Sequence, residues 1–208
     1  MNSFIKPLTL LFLFSFLQSE NFKSQATNTR VKEIESLIER RQLTTKSLRS
    51  QFTQSVLPEN QATPIVSKGT LQYQKPQTLR IDFSLPEGEG MILTPTETTV
   101  WKKGLLPKST PHDPLQPSFR RIILDILEKS PSDWDSQFQK SMREEQDSLL
   151  VTLTPLAPSE RAPERVEVRM RGQDLQITEI SVTMKKILWA VKFHSIQVNP
   201  PLKIKLSK

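Results

Sequence analysis

The chain contains two histidines, His112 and His194, and no cysteine, so the residues that most often carry catalysis or hold metals are scarce. Neither histidine lies in a His-Glu-x-x-His spacing, and no motif joins either to a nucleophile. His112 stands beside Asp113 among prolines and reads as a solvated loop residue; His194 alternates with Phe193 and reads as the surface of a strand. The lack of cysteine removes disulfides, Fe–S clusters, thiolate zinc sites and a thiol nucleophile together. The five glycines, at positions 69, 88, 90, 104 and 172, form neither a dinucleotide fingerprint nor a phosphate loop, and Gly88-Glu89-Gly90 reads as a turn. Thr99 to Lys102 has the Ser/Thr-x-x-Lys spacing but falls in a strand pattern without the partner motifs of that catalytic set. Glu144, Glu145 and Asp147 read as a solvated hairpin end. The expectation is a protein that is not an enzyme, with no catalytic residue, no metal and no cofactor.

What remains for function is apolar surface, and its period shows which elements carry it. From Arg30 to Leu43, Val31, Ile34, Leu37 and Ile38 fall at helical spacing between charged residues, with Thr29 as N-cap. The period then becomes two. Leu71 to Tyr73 and Leu79 to Leu85 alternate apolar and polar residues, as strands with one wet face do. Further strands are predicted at Met91–Leu93, Thr98–Lys102, Leu149–Thr154, Arg165–Arg171, Leu175–Met184 and Ile187–Val198. Gly172-Gln173-Asp174 turns one strand into the next, and the apolar phase slips between Ile177 and Ile180, which predicts a bulge. A second helix is marked by Phe119, Ile122, Ile123, Ile126 and Leu127, with Ser118 as its N-cap. Between Trp101 and that helix lies a loop holding Pro107, Pro111, Pro114 and Pro117, of a length often used for lids or binding. Pro155 to Pro163 reads as a surface connection. The fold class is mainly β with α (α+β), a largely antiparallel sheet curled around helices on its concave side.

At the N-terminus, Lys6 and then the apolar run Leu8 to Leu17 read as a secretory leader, residues 1–26, cleaved between Ser19 and Ala26. That run is too short to span a bilayer. The remaining 27–208, about 180 residues, are enough for a single domain, and an exported chain without disulfides must rest on its core. A formal charge of +7 fits an anionic lipid surface or an acidic partner, whereas no basic run interleaved with aromatics suggests nucleic acid.

An ordered set of short segments then resembles a known family. Ser50-Gln51-Phe52-Thr53-Gln54, Gly69-Thr70-Leu71, Lys75-Pro76, the strand to Phe83, Pro86, and Ile92-Leu93 running to Trp101 are similar to the LolA-type periplasmic outer-membrane lipoprotein carriers. Ser132-Asp133-Trp134 and Leu153-Thr154-Pro155 resemble the family's next segment. The resemblance implies a half-barrel of antiparallel strands covered on its concave side by helices and enclosing an apolar cavity for acyl chains. It implies a periplasmic monomer that carries acylated lipoproteins from an inner-membrane lipoprotein-releasing ABC transporter to an outer-membrane receptor. Ser130 to Asp133 looks like a helix cap, but the family places a strand over Asp133 to Met142, and that strand is the expectation.

Combining the resemblance with the apolar patterns, the acyl-chain cavity is expected to draw on Leu71, Tyr73, Ile81, Phe83, Ile92, Val100, Ile122, Ile123, Ile126 and Leu127. Lys75 takes the place where many members carry an arginine that helps hold a lid closed; it keeps the charge but not the planar fork. Thr96-Glu97 stands where the family has an Asp-Gly turn, and Lys102-Lys103 where relatives are more apolar. Two other readings stay open: a periplasmic binder of another lipid or glycolipid on the same fold, and a filled-core interaction or regulatory protein.

Overall fold

The computed structural model describes residues 29–111, 119–159, 162–202 and 204. The leader with its cleavage region, His112 and the cap candidate Ser118 lie outside them. The chain divides into two compact units, Met1–Leu37 and Ile38–Lys208. In the first unit the described residues, 29–37, are helical; they begin α1, which runs over 29–44 and enters the second unit at Ile38. Ile34, Ile38 and Gln42 are the buried members of α1, four residues apart, while Leu37 and Leu43 are exposed. The stripe is therefore narrower than the apolar count suggests.

The second unit is an open antiparallel sheet of eleven strands: β1 Ser47–Pro58, β2 Ile65–Gln74, β3 Thr78–Leu85, β4 Glu87–Leu93, β5 Glu97–Trp101, β6 Lys108–Pro111, β7 Phe138–Glu145, β8 Ser148–Pro155, β9 Arg165–Arg171, β10 Ile177–Met184 and β11 Ile187–Val198. Their order is β6-β5-β4-β3-β2-β1-β11-β10-β9-β8-β7. Two helices, α2 Phe119–Glu128 and the single turn α3 Pro131–Trp134, interrupt the strands. A flat sheet of this strand number would be close to 48 Å wide, and a ten-residue helix is about 15 Å long. Yet α2 touches the β2–β3 turn through Glu128, β11 through the Phe119–Trp189 ring contact, and shares a cavity wall with β8 and β9. The sheet must curl around it.

Residues paired across a ladder share a face, and the register therefore sorts every strand. Leu48, Tyr73, Leu79 and Leu93 form one inward row; Ser50, Leu71, Ile81, Met91 and Val100 form the next. In the other half, Val191, Ile180, Val168, Val151 and Met142 line up, then Trp189, Val182, Val166, Leu153 and Lys140. The outward rows are mostly charged or polar, with ion pairs such as Arg80–Asp82 and Arg143–Glu145, though Ile92, Trp101 and Leu150 also lie in them.

Several expectations change. β1 was not anticipated, because its inward positions Leu48, Ser50, Phe52, Gln54 and Val56 mix polar with apolar residues. Ser50 is buried there beside the register shift between Arg49 and Gln51, and its hydroxyl donates to the His194 carbonyl at 2.8 Å. The stretch from Trp101 to α2 is not wholly loop, since Lys108–Pro111 pairs with β5. Asp133 to Gln137 is not strand. Ser130 caps α3, with its N–H and Oγ–H both donating to the Asp133 carboxylate at 2.8 Å, and β7 begins only at Phe138. Those bonds, the hydroxyl's foremost, hold the Asp133 carboxyl below its usual range. Gly88-Glu89-Gly90 is not a turn but part of β4. The bulge in β10 lies between Ile177 and Glu179.

Candidate functional site: an apolar cavity under the second helix

A cavity of about 370 Å³ lies between α2 and the β7–β9 side of the sheet. Ile122 and Ile126 of α2 form its roof, Trp134 and Phe138 one side, and Leu153 and Val166 its floor. Pro155, Leu156, Ala157, Ala162 and Pro163 line it too, so this connection is a wall of the site rather than a mere surface link. Asp125, Lys129, Asp133, Ser136 and Gln137 supply its polar groups, and Asp125 is held by Arg121 and Lys129 at 3.1 Å each. Trp134 is 2% exposed, and its Nε1–H has no partner among the described residues. A buried donor left unpaired costs about 1–3 kcal/mol, which α3 offsets by packing the indole against an apolar chamber.

Of the residues singled out by pattern, Ile122 and Ile126 line this cavity. Leu127 borders a smaller one of about 40 Å³ with Ile38, Gln42 and Met170. Ile123 is buried in the core; so are Leu71, Tyr73 and Ile81 on the inward face, while Phe83 and Val100 on that face are half-buried. Phe83 meets Phe52 edge-on at 5.7 Å across Gly69. Ile92 is not brought to them. It pairs with Arg80 and Thr99 and points to the outer face, because in a strand with apolar residues at both Met91 and Ile92 alternation leaves the phase undecided. Trp134, Phe138, Leu153 and Val166 were missed as a group: Leu153 and Val166 fall in predicted strands, but no local signal says which inward residues border empty space.

The β2–β3 turn ties both helices down. The Lys75 ammonium donates to the Gln42 carbonyl in the last turn of α1 at 2.6 Å, where a cation also meets the negative end of the helix dipole. The Gln42 side chain donates in turn to the Ile126 carbonyl at 3.2 Å, and the Gln77 N–H donates to Glu128 Oε2 at 3.0 Å. Lys75 thus binds one carbonyl where a guanidinium fork would reach several. Lys75→Met is expected to lower unfolding free energy by about 1–2 kcal/mol, since a charge-assisted bond is lost, while Lys75→Arg keeps most of it. Urea unfolding of the three chains checks this.

Burial raises the Glu128 carboxyl above its ordinary value of 4.5, outweighing the Gln77 hydrogen bond and the Lys75 charge. Tyr73, 0% exposed, has its phenol pushed above the usual range by burial first and by Glu128 second. For an acid raised in the fold, stability is full below the unfolded value and lost as pH rises through the folded one. Glu128→Gln is therefore expected to match the parent below pH 4.5 and to melt higher than it as pH rises above that value. Thermal melts across that range read the difference; a constant offset at every pH would contradict the burial argument.

These features define a class: a curled antiparallel sheet with helices held over its inward face and an apolar chamber left beneath one of them. The chain belongs to the family described as outer membrane lipoprotein carrier protein LolA, whose model matches residues 43–206. No curated protein matches the sequence. Among solved structures, a LolA superfamily protein from Nitrosomonas europaea is similar at 5% identity over 80% of this chain and 94% of its own, with a TM-score of 0.44. The MucA/MucB complex of Pseudomonas aeruginosa gives 9% identity over 83% of this chain and 59% of the other, at 0.47. Lipoprotein LppX of Mycobacterium tuberculosis gives 10%, 81% and 97%, at 0.37. No helix among the described residues is long and apolar enough to cross a membrane.

Proposed function

We propose that this protein binds the acyl chains of lipoproteins in its apolar cavity and carries them across the periplasm between the two membranes. The observation that carries the reading is the chamber of about 370 Å³ under α2, lined chiefly by aliphatic and aromatic side chains, in a chain of the LolA family. Each methylene exposed to water costs about 0.8 kcal/mol, so a multiply acylated protein needs such a substitute for the bilayer. The chamber sits near the lower end of the range of about 300–1,000 Å³ usual for ligand pockets. Several acyl chains need more room than that, so loading requires α2 to lift, against the bonds that the Gln42 side chain and the Gln77 N–H make to Ile126 and Glu128 at its end. Binding is non-catalytic in this reading, and the partners are acylated lipoproteins, a releasing transporter at the inner membrane and a receptor at the outer one.

Native mass spectrometry of the protein with a triacylated lipopeptide, and separately with the same peptide lacking acyl chains, tests it. One-to-one retention of the acylated form alone is the expected result. Retention of neither form would replace the carrier with a filled-core interaction protein, and retention of a free glycolipid in preference would move the cargo to another lipid class.

A further inference from the structure

Exposed large apolar side chains gather at one end of the sheet. The register sets Val56 opposite Ile65, Pro58 opposite Ile187, Lys68 opposite Leu85 and Val100 opposite Lys108, so the β1–β2, β3–β4, β5–β6 and β10–β11 connections leave from the same end. Ile65, Leu85, Leu105, Leu106 and Leu188 are all exposed there. The cavity wall formed by Pro155, Leu156, Ala157, Ala162 and Pro163 lies at this end as well, since β8 finishes at Pro155 and β9 starts at Arg165 opposite Thr183.

The most extreme exposure is in the β5–β6 turn, where Leu105 is 67% and Leu106 92% exposed. This turn is built rather than loose. The Leu105 N–H donates to the Lys102 carbonyl at 3.0 Å, and Gly104 takes φ +77° at the third turn position, where a type II turn needs a residue without Cβ. Pro107 fixes the exit. At the base, Trp101 lies against Gly90 and the Arg80 guanidinium stacks 5.2 Å from the indole. Lys102, Lys103 and Lys108 surround the two leucines. Their acidic neighbours are Glu87 and Glu89; the Lys103–Glu87 pair is 4.0 Å long with both side chains mostly exposed, and such a pair is weak. A convex apolar tip ringed by ammonium groups suits a bilayer interface with anionic headgroups, where leucine enters the acyl boundary and lysine meets phosphate.

We propose that the β5–β6 turn is an interfacial anchor, Leu105 and Leu106 entering an anionic bilayer while Lys102, Lys103 and Lys108 contact its phosphates, which sets the cavity-bearing end of the sheet at the membrane. The anchor does not depend on the cargo reading and acts in the empty protein. Cosedimentation with vesicles of 30% phosphatidylglycerol in phosphatidylcholine, and with phosphatidylcholine alone, tests it on three chains: the parent, Leu105→Ser/Leu106→Ser, and Lys102→Gln/Lys103→Gln. All substituted side chains are exposed, and matching thermal melts show that folding is unchanged. The expected result is binding of the parent to the anionic vesicles, reduced about tenfold or more in the leucine variant and severalfold in the lysine variant or at 0.5 M salt. A leader segment with lipid affinity of its own would act equally in all three chains. Equal binding of parent and leucine variant therefore overturns the anchor, as does no binding of the parent to either vesicle; equal binding of the parent to both compositions overturns the role of the lysines.

Discussion

Ile126→Asn is expected to abolish retention of a triacylated lipopeptide, lowering its bound fraction about tenfold or more. Ile126 is buried in α2, forms the roof of the 370 Å³ chamber and has its own carbonyl held by Gln42. An amide there puts an unpaired polar group against an acyl chain, at a cost of about 1–3 kcal/mol by the measure of protein substitutions. The same change destabilises the fold, so two further chains separate the effects. Leu79→Ala removes buried volume from β3, in the other half of the sheet from the chamber, and is expected to lose about 2–5 kcal/mol of stability with binding intact. Ala157→Trp places a ring in the cavity wall at an exposed position and is expected to lose binding with stability intact. If Ala157→Trp and Ile126→Asn both retain the lipopeptide as the parent does, the chamber is not where acyl chains reside. Native mass spectrometry reads binding, and urea unfolding reads stability.

Gly69→Ala is expected to cost about 3 kcal/mol of unfolding free energy, at the upper end of what overpacking does. A Cβ at Gly69 would stand 2.2 Å from the Asp82 carbonyl oxygen and 2.9 Å from Phe52 Cε1. The obstruction is backbone on one side and a ring packed edge-on against Phe83 on the other, so neither can swing away. The glycine is the gap over which the two rings meet. Gly172→Ala is the comparison: its nearest atoms, in Asp147, are 3.3 Å away, and less than about 1 kcal/mol is expected. Urea unfolding of both chains measures the difference, and similar losses in the two would show that β2 and β3 can shift apart at Gly69.

The β-rich class, the second helix and most of the strands were legible because their apolar residues keep a single period. Where that period was broken, the reading failed for identifiable reasons. β1 hides its inward face behind Ser50 and Gln54, and the hydroxyl of Ser50 becomes intelligible only when the His194 carbonyl is seen across the β1–β11 ladder. Met91 and Ile92 are both apolar, so only the pairing with Arg80 shows that Ile92 faces outward. Lys75 drew notice through its family position, but its partner Gln42 lies 33 residues away in a helix whose last turn looks polar and solvated in sequence.

By itself the sequence determined the local conformations and the chemistry open to the chain. Period two and period 3.6 are properties of neighbouring residues, and the lack of cysteine removes disulfides and thiol chemistry from the chain. Only the tertiary structure decided where space is left unfilled. A cavity is a failure of distant side chains to meet, here Trp134, Leu153 and Val166 beneath Ile122 and Ile126, and no spacing along the chain records it. The same holds for the sheet end that gathers Ile65, Leu85, Leu105 and Leu106. Each is an ordinary exposed residue in its own segment, and strand register alone makes them neighbours of one another's connections.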